Sequence, residues 1–90
     1  MSNPDFLGLI HSLTASAETS LGQLNALTAR MNRDGVARSR TTAERSLRLL
    51  EVLAQKTRGN LSAEEAQTLS SAVENVRRLL QDTPLERAEA

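Results

Sequence analysis

The chain has 90 residues, with 11 Lys or Arg, 11 Asp or Glu, no cysteine and one aromatic residue, Phe6. This composition predicts one small domain with a core of Leu, Val, Ile and Ala, and it excludes disulfide bonds and cysteine-based metal sites. Charge is uneven: residues 1–29 carry two acids and no base, residues 30–58 a net +5 and residues 59–90 a net −3. Such asymmetry can direct a partner or self-association.

The start of the chain indicates neither a signal peptide nor a membrane protein. It has no basic segment followed by a long apolar run, and no stretch approaches the ~18–20 apolar residues of a membrane span. We therefore expect a cytoplasmic protein with no membrane association. The lack of cysteine is compatible with a reducing compartment.

The first predicted helix covers residues 4–31, after an N-terminal cap at residues 1–4. Asn3 suits the N-cap and Pro4 the first helical position. Apolar residues then recur every three or four positions, which is one helical stripe. Small residues fill the middle of the segment. They favour either the close approach of another helix or a moderately stable helix that is kinked near Gly22.

A loop is predicted over residues 32–41, because the apolar period stops there and Asp34-Gly35 is a turn signal. The second helix is predicted over residues 42–58. Thr41 and Glu44 have the spacing of a capping box at its start. The helix is apolar over much of its circumference, so we expect it to lie between two others.

A tight reversal follows, and it is the clearest local signal in the sequence. Gly59 can adopt the left-handed conformation that ends a helix, and Ser62 with Glu65 forms a second capping box. The third helix is predicted over residues 63–82, and residues 83–90 are interpreted as a polar tail. So short a connection joins neighbouring antiparallel helices.

The sequence thus predicts an all-α fold, with a long N-terminal helix and an antiparallel helical hairpin in a single domain over residues 5–82. The first helix would reach about 40 Å, against about 27–30 Å for the other two. Its overhanging stripe would need a second chain, so we expect a homo-oligomer, with a dimer favoured. The predicted interface residues are Phe6, Ile10, Leu13, Ala17, Leu21 and Leu24.

The reversal also carries a longer motif, Lys56-Thr57-Arg58-Gly59-Asn60-Leu61-Ser62-x-Glu64-Glu65. It resembles the Lys-Thr-(Lys/Arg)-Gly-Asn-Leu-(Thr/Ser)-x-Glu-Glu signature of the bacterial domain-of-unknown-function family 1844 (DUF1844). The resemblance extends over roughly residues 5–81, but the charged segment 32–40 has no match, and no aromatic residue stands near the end of the third helix. It implies a small, cytoplasmic, all-helical bacterial protein and no activity.

No residues have the pattern of a catalytic or metal site. His11 is the single histidine, and a zinc site beside it would need carboxylates alone. The adjacent acids Glu64 and Glu65 fall in the first turn of a helix, where acids stabilise the backbone amides. We therefore expect no cofactor and a protein that is not an enzyme.

Arginines between residues 30 and 48 are the feature that most favours a ligand. They could contact a phosphate backbone, although no Tyr or Trp is present to stack on bases. They could instead contact the acidic third helix of another copy or a protein partner, or simply be solvated. We expect an interaction or structural module that self-associates, with nucleic-acid binding as the alternative. The candidate contacts are Arg30, Arg33, Arg38, Arg40, Arg45 and Arg48.

Overall fold

The computed structural model describes residues 2–31 and 33–82, and within residues 24–29 it describes the backbone alone. Three α-helices follow in order: α1 (Pro4–Ala29), α2 (Arg33–Lys56) and α3 (Ala63–Asp82). Each helix packs against the other two. The all-α, three-helix prediction is confirmed for the described part of the chain.

Two of the predicted helix caps are present. Asn3 Oδ1 accepts hydrogen bonds from the backbone N–H groups of Asp5, at 2.8 Å, and Phe6, at 3.1 Å. Ser62 Oγ accepts from the N–H of Glu65 at 3.1 Å, and Glu65 Oε1 accepts from the N–H of Ser62 at 2.9 Å. Gly59 has a φ of 85°, the left-handed conformation expected after a helix end.

The predicted loop at residues 32–41 is wrong, because α2 already begins at Arg33. Its buried stripe starts at Gly35 and continues at Ser39 before it reaches Ala43. These positions keep the helical spacing of four, but glycine and serine carry no apolar signal, so the pattern looked interrupted. Thr41 consequently lies inside α2 and caps nothing.

The connection between α1 and α2 is correspondingly short. α1 ends at Ala29 rather than at Met31, and Met31 takes a φ of 58° with 82% of its surface exposed. A left-handed residue there ends the helix and reverses the chain. The first two helices thus form a hairpin of their own.

The predicted overhang of the first helix is wrong as well. α1 has 26 residues, α2 24 and α3 20, so α2 is within about 3 Å of the length of α1. Three of the predicted interface residues, Ile10, Ala17 and Leu21, belong to the chain's own core, at 1%, 0% and 6% exposure. Phe6 and Leu13 pack against that core, and the side chain of Leu24 lies outside the described residues. A second copy would have to bind elsewhere.

Small residues make up much of the buried surface of α1 and α2, the two helices that pack most closely. Ala17 and Ala43 are fully buried, and Ser20, Ser39 and Ser46 are at most 8% exposed. Side chains this short let two helix backbones approach closely. Of the two interpretations of the small residues in α1, the structure supports close helix packing. The largest fully buried side chains are Ile10 of α1, Leu50 of α2, and Leu69 and Val76 of α3.

Glu65 connects the start of α1 to the start of α3. It is 6% exposed, and its Oε2 accepts a 2.6 Å hydrogen bond from the backbone N–H of Asn3. Ser2 Oγ lies 2.9 Å from Ser62 Oγ and donates to Glu64 Oε1 at 2.7 Å. The amide of Asn3, and then that of Ser62, hold the pKa of the Glu65 carboxyl below its ordinary value of 4.5. α1 and α3 therefore run parallel, with their first residues at one height.

The small-residue contact makes a testable prediction about stability. Ala17→Leu should destabilise the fold by about 1–3 kcal/mol, because a fully buried Cβ position at a close helix contact has no room for three more carbons. The control is Ala15→Leu, which makes the same change on an exposed position of the same helix. Urea unfolding followed by circular dichroism measures both variants, and an equal loss would contradict the close contact.

The Glu65 network predicts a pH dependence. Because the folded-state pKa of Glu65 is lowered, its stabilisation is present above about pH 4.5 and is lost as the pH falls through the folded-state pKa. Glu65→Gln should therefore be less stable than wild type at pH 7 and should lose less stability on acidification. Glu64→Gln, at the exposed neighbouring position, is the control. Urea midpoints between pH 7 and pH 3 that change in parallel for wild type and Glu65→Gln would refute this role.

Candidate interaction surface

Exposed apolar side chains are the starting point, because several large apolar residues left together in water mark a candidate contact site. Among the described residues five qualify. Leu9, Leu49 and Val52 are 45%, 43% and 40% exposed, and Met31 and Leu79 are 82% and 37% exposed. Met31 belongs to the turn and Leu79 to α3, whereas Leu9, Leu49 and Val52 belong to α1 and α2.

An ion pair shows which side of α2 faces α3. Glu51 Oε2 and Arg77 Nη2 are 2.8 Å apart, so Glu51 lies on the flank of α2 next to α3. Each helical residue advances about 100°, so Leu49 lies about 160° away from Glu51, with Val52 one turn further along the helix. Leu49 and Val52 are therefore on the side of α2 remote from α3.

The same ion pair fixes the hand of the three-helix arrangement. Because α1 runs antiparallel to α2, the flank of α1 next to α2 is the one that carries Leu9, Ser16 and Ser20. Ser20 on this flank is 8% exposed, as expected of a side chain that lies against α2. Leu9 thus lies on the same side of the molecule as Leu49.

Height along the hairpin brings these side chains together. Counted in residues, the distance from Leu9 to the end of α1 at Ala29 nearly equals the distance from the start of α2 at Arg33 to Val52. Both helices rise about 1.5 Å per residue, so the two residues lie at nearly the same height. We call this side of the hairpin the α1–α2 face. It holds the exposed residues Asp5, Leu9, Ser12, Ser16 and Gln23 of α1 and Asp34, Arg38, Thr42, Arg45, Leu49, Val52 and Lys56 of α2.

The six arginines predicted as candidate contacts lie on different sides of the molecule. Arg38 and Arg45 lie on the α1–α2 face, and with Ala37, Thr41 and Thr42 they border an open depression of about 440 Å³. Arg48 is exposed further round α2, and Arg30 is exposed in the turn.

The remaining two arginines, Arg33 and Arg40, lie on the opposite flank, where Arg40 pairs with Glu44 at 2.8 Å between Nε and Oε2. The six arginines consequently form no single site.

Titratable side chains are not gathered into a reactive group in the described part of the molecule. His11 is exposed on α1, and Glu64 and Glu65 accept the capping hydrogen bonds described above. Over residues 2–31 and 33–82, with the side chains of 24–29 set aside, no group of three or more His, Asp or Glu side chains is arranged to hold a metal ion.

Sequence reasoning missed the α1–α2 face for an identifiable reason. Its residues on α2 repeat every three or four positions from Arg38 to Lys56, a spacing that is visible in the sequence. It becomes a face only if residues 33–41 are helical, and the predicted loop hid the first of these positions.

Comparisons with known proteins place the chain in a family. The model of the family described as "Domain of unknown function (DUF1844)" matches residues 3–81. Neither the curated proteins nor the solved structures gave a significant match. None of the helices, as far as they are described, is long and apolar enough to cross a membrane. With the match spanning most of the chain, as the motif from Lys56 to Glu65 predicts, the protein belongs to the DUF1844 family.

Proposed function

We propose that this protein is a non-enzymatic helical module that acts by binding protein, in the first place a second copy of itself, through the α1–α2 face. The observation that carries the proposal is the position of Leu9, Leu49 and Val52. Each is at least 40% exposed, and the three lie at similar heights on one side of the hairpin. These residues replace the buried stripe of α1 as the candidate interface.

The size of the face fits such a role. Two helices of 26 and 24 residues lie side by side, so the face is about 36–39 Å long and about 20 Å wide. That is roughly 750 Å², close to the ~800 Å² that each partner buries in a stable protein complex. Apolar residues bordered by charged ones, here Leu9, Leu49 and Val52 beside Asp5, Arg45 and Lys56, are also usual in such an interface.

Two observations support the non-enzymatic part of the proposal. The buried carboxylate, Glu65, has both oxygens engaged by backbone amides, and general acid–base chemistry would require it to be open to a substrate. Within the described residues, the exposed His11 has no hydrogen bond to a carboxylate or a hydroxyl. A nucleophile, a base and an orienting group therefore do not converge in this part of the chain.

The proposal predicts a mass that depends on concentration. Sedimentation velocity at increasing concentration should show the 9.8 kDa chain converting to a species of twice that mass. Leu49→Glu or Val52→Glu should weaken association at least about tenfold, because each places an unpaired carboxylate in the apolar centre of the contact.

The matched control is Leu79→Glu, which makes the same change at an exposed leucine of α3 outside the face. It should associate like wild type, and circular dichroism should show all three variants equally helical. A wild-type chain that stays monomeric at every concentration tested would overturn the proposal. Equal effects of Leu49→Glu and Leu79→Glu would overturn the assigned face.

Nucleic-acid binding is the second candidate function, favoured by the exposed arginines beside the depression on α2. Arg38, Arg45 and Lys56 give the α2 side of the face three positive charges against the one negative charge of Asp34, and phosphate contacts of this kind need no base recognition. Against it stand the formal net charge of zero and the absence of Tyr and Trp.

A gel-shift titration separates this candidate from self-association. If it holds, wild-type protein retards DNA or RNA at low salt, the shift weakens as salt rises, and Arg38→Gln with Arg45→Gln abolishes it. Arg33→Gln with Arg40→Gln, on the opposite flank, is the control with the same loss of charge and should keep the shift. Wild-type protein that gives no shift at low salt would end the candidate.

A further inference from the structure

We propose that two copies pair about a two-fold axis parallel to the helices, so that α1 of each copy lies antiparallel against α2 of the other and Asp5 meets Lys56 of the other copy. This inference rests on the proposed self-association and goes beyond it by assigning the symmetry, the register and a specific charge pair. It follows from the order of the side chains along the two helices of the α1–α2 face.

The register of the proposed contact follows from the heights of the residues along α1 and α2. A two-fold axis parallel to the helices leaves heights unchanged, so residues level with each other in one chain also meet across the contact. Counted in residues, the distance from Asp5 to the end of α1 nearly equals the distance from the start of α2 to Lys56, so the two residues lie at the same height. Leu9 is level with Val52 by the same measure, and Ser16 is level with Arg45.

The charges of the two helices are complementary in this arrangement. On the α1–α2 face, α1 contributes the acid Asp5 and no base, whereas α2 contributes three bases, Arg38, Arg45 and Lys56, and one acid, Asp34, for a net charge of +2 against −1. Placing α1 against α2 of the other copy brings opposite charges together twice, since the symmetry repeats each contact.

The sizes of the facing side chains are also complementary. Ser12 and Ser16 of α1 are small, and the residues level with them on α2 are Leu49 and Arg45, which are long. Small side chains opposite long ones let the two surfaces interlock. Leu9 then meets Val52 and Leu49 of the other copy in an apolar centre, so apolar, small and charged positions all match under one axis.

The competing two-fold arrangement lacks these matches. An axis in the same plane but perpendicular to the helices would place α2 against α2 of the other copy. Arg38, Arg45 and Lys56 of each chain would then share the contact with Asp34 alone as an acid, so that a net +2 faces a net +2. Like charges opposed across a contact are unfavourable, so the parallel axis is preferred.

A charge swap by mixing tests the arrangement. Asp5→Lys alone should weaken self-association about tenfold at low salt, since each dimer then sets the introduced lysine against Lys56 twice. Lys56→Asp alone should do the same, with two acids opposed. An equimolar mixture of the two variants restores opposite charges in a mixed dimer, so association should return to within about threefold of wild type. Sedimentation velocity with one variant fluorescently labelled reports the mixed species.

The controls separate this inference from its alternatives. Glu18→Lys changes an exposed acid of α1 outside the face. Its mixed dimer with Lys56→Asp keeps one Asp5–Lys56 contact and opposes two acids at the other, so this mixed dimer should be weaker than that of Asp5→Lys with Lys56→Asp. Recovery on mixing cannot come from an Asp5–Lys56 contact within one chain, because each chain carries only one of the changes. Wild type that associates while the mixture does not recover would overturn the register and leave the proposed function standing. A monomeric wild type would overturn both.

Discussion

The close contact between α1 and α2 is the constraint on which the rest of this structure depends. Ala17 and Ala43 are fully buried, and the serines around them are nearly so. Because these side chains are short, the two helices can approach closely over most of their length. α1 and α2 are nearly equal in length and pack side by side as one hairpin, so α2 covers the stripe of α1 that a shorter α2 would have left exposed.

Polar contacts then position α3 on this hairpin. At one end, Glu65 accepts hydrogen bonds from the amides of Asn3 and Ser62, so the cap of α3 also holds the start of α1. Along the other side, Glu51 and Arg77 join α2 to α3. Burying a carboxylate is unfavourable unless amides replace its water, and here two amides do so. The same network that caps a helix thus fixes the order of the three helices.

With α3 held on one side, the other side of the hairpin is left open. Leu9, Leu49 and Val52 lie there beside an α2 with more bases than acids and an α1 with a single acid. The family model that matches residues 3–81 brings no activity, so what this chain can do has to be argued from such surfaces. A contact in which α1 meets α2 of a second copy uses the apolar residues, the charges and the size differences of this face together.

The local signals in the sequence were sufficient for much of the fold. The caps at Asn3 and Ser62, the left-handed Gly59 and the extent of α3 depend on interactions within a few residues, so the residues themselves determine them. The start of α2 could not be predicted in this way, because Gly35 and Ser39 are buried by a neighbouring helix and not by their own hydrophobicity. The sequence also could not show what α1 packs against. The apolar stripe from Phe6 to Leu21 indicates that α1 buries one side, but a second chain and the chain's own helices would produce the same stripe. Only the tertiary structure assigned that stripe to the chain's own core. It also left Leu9, Leu49 and Val52 together in solvent, because which flank of a helix is covered depends on where the other helices pack.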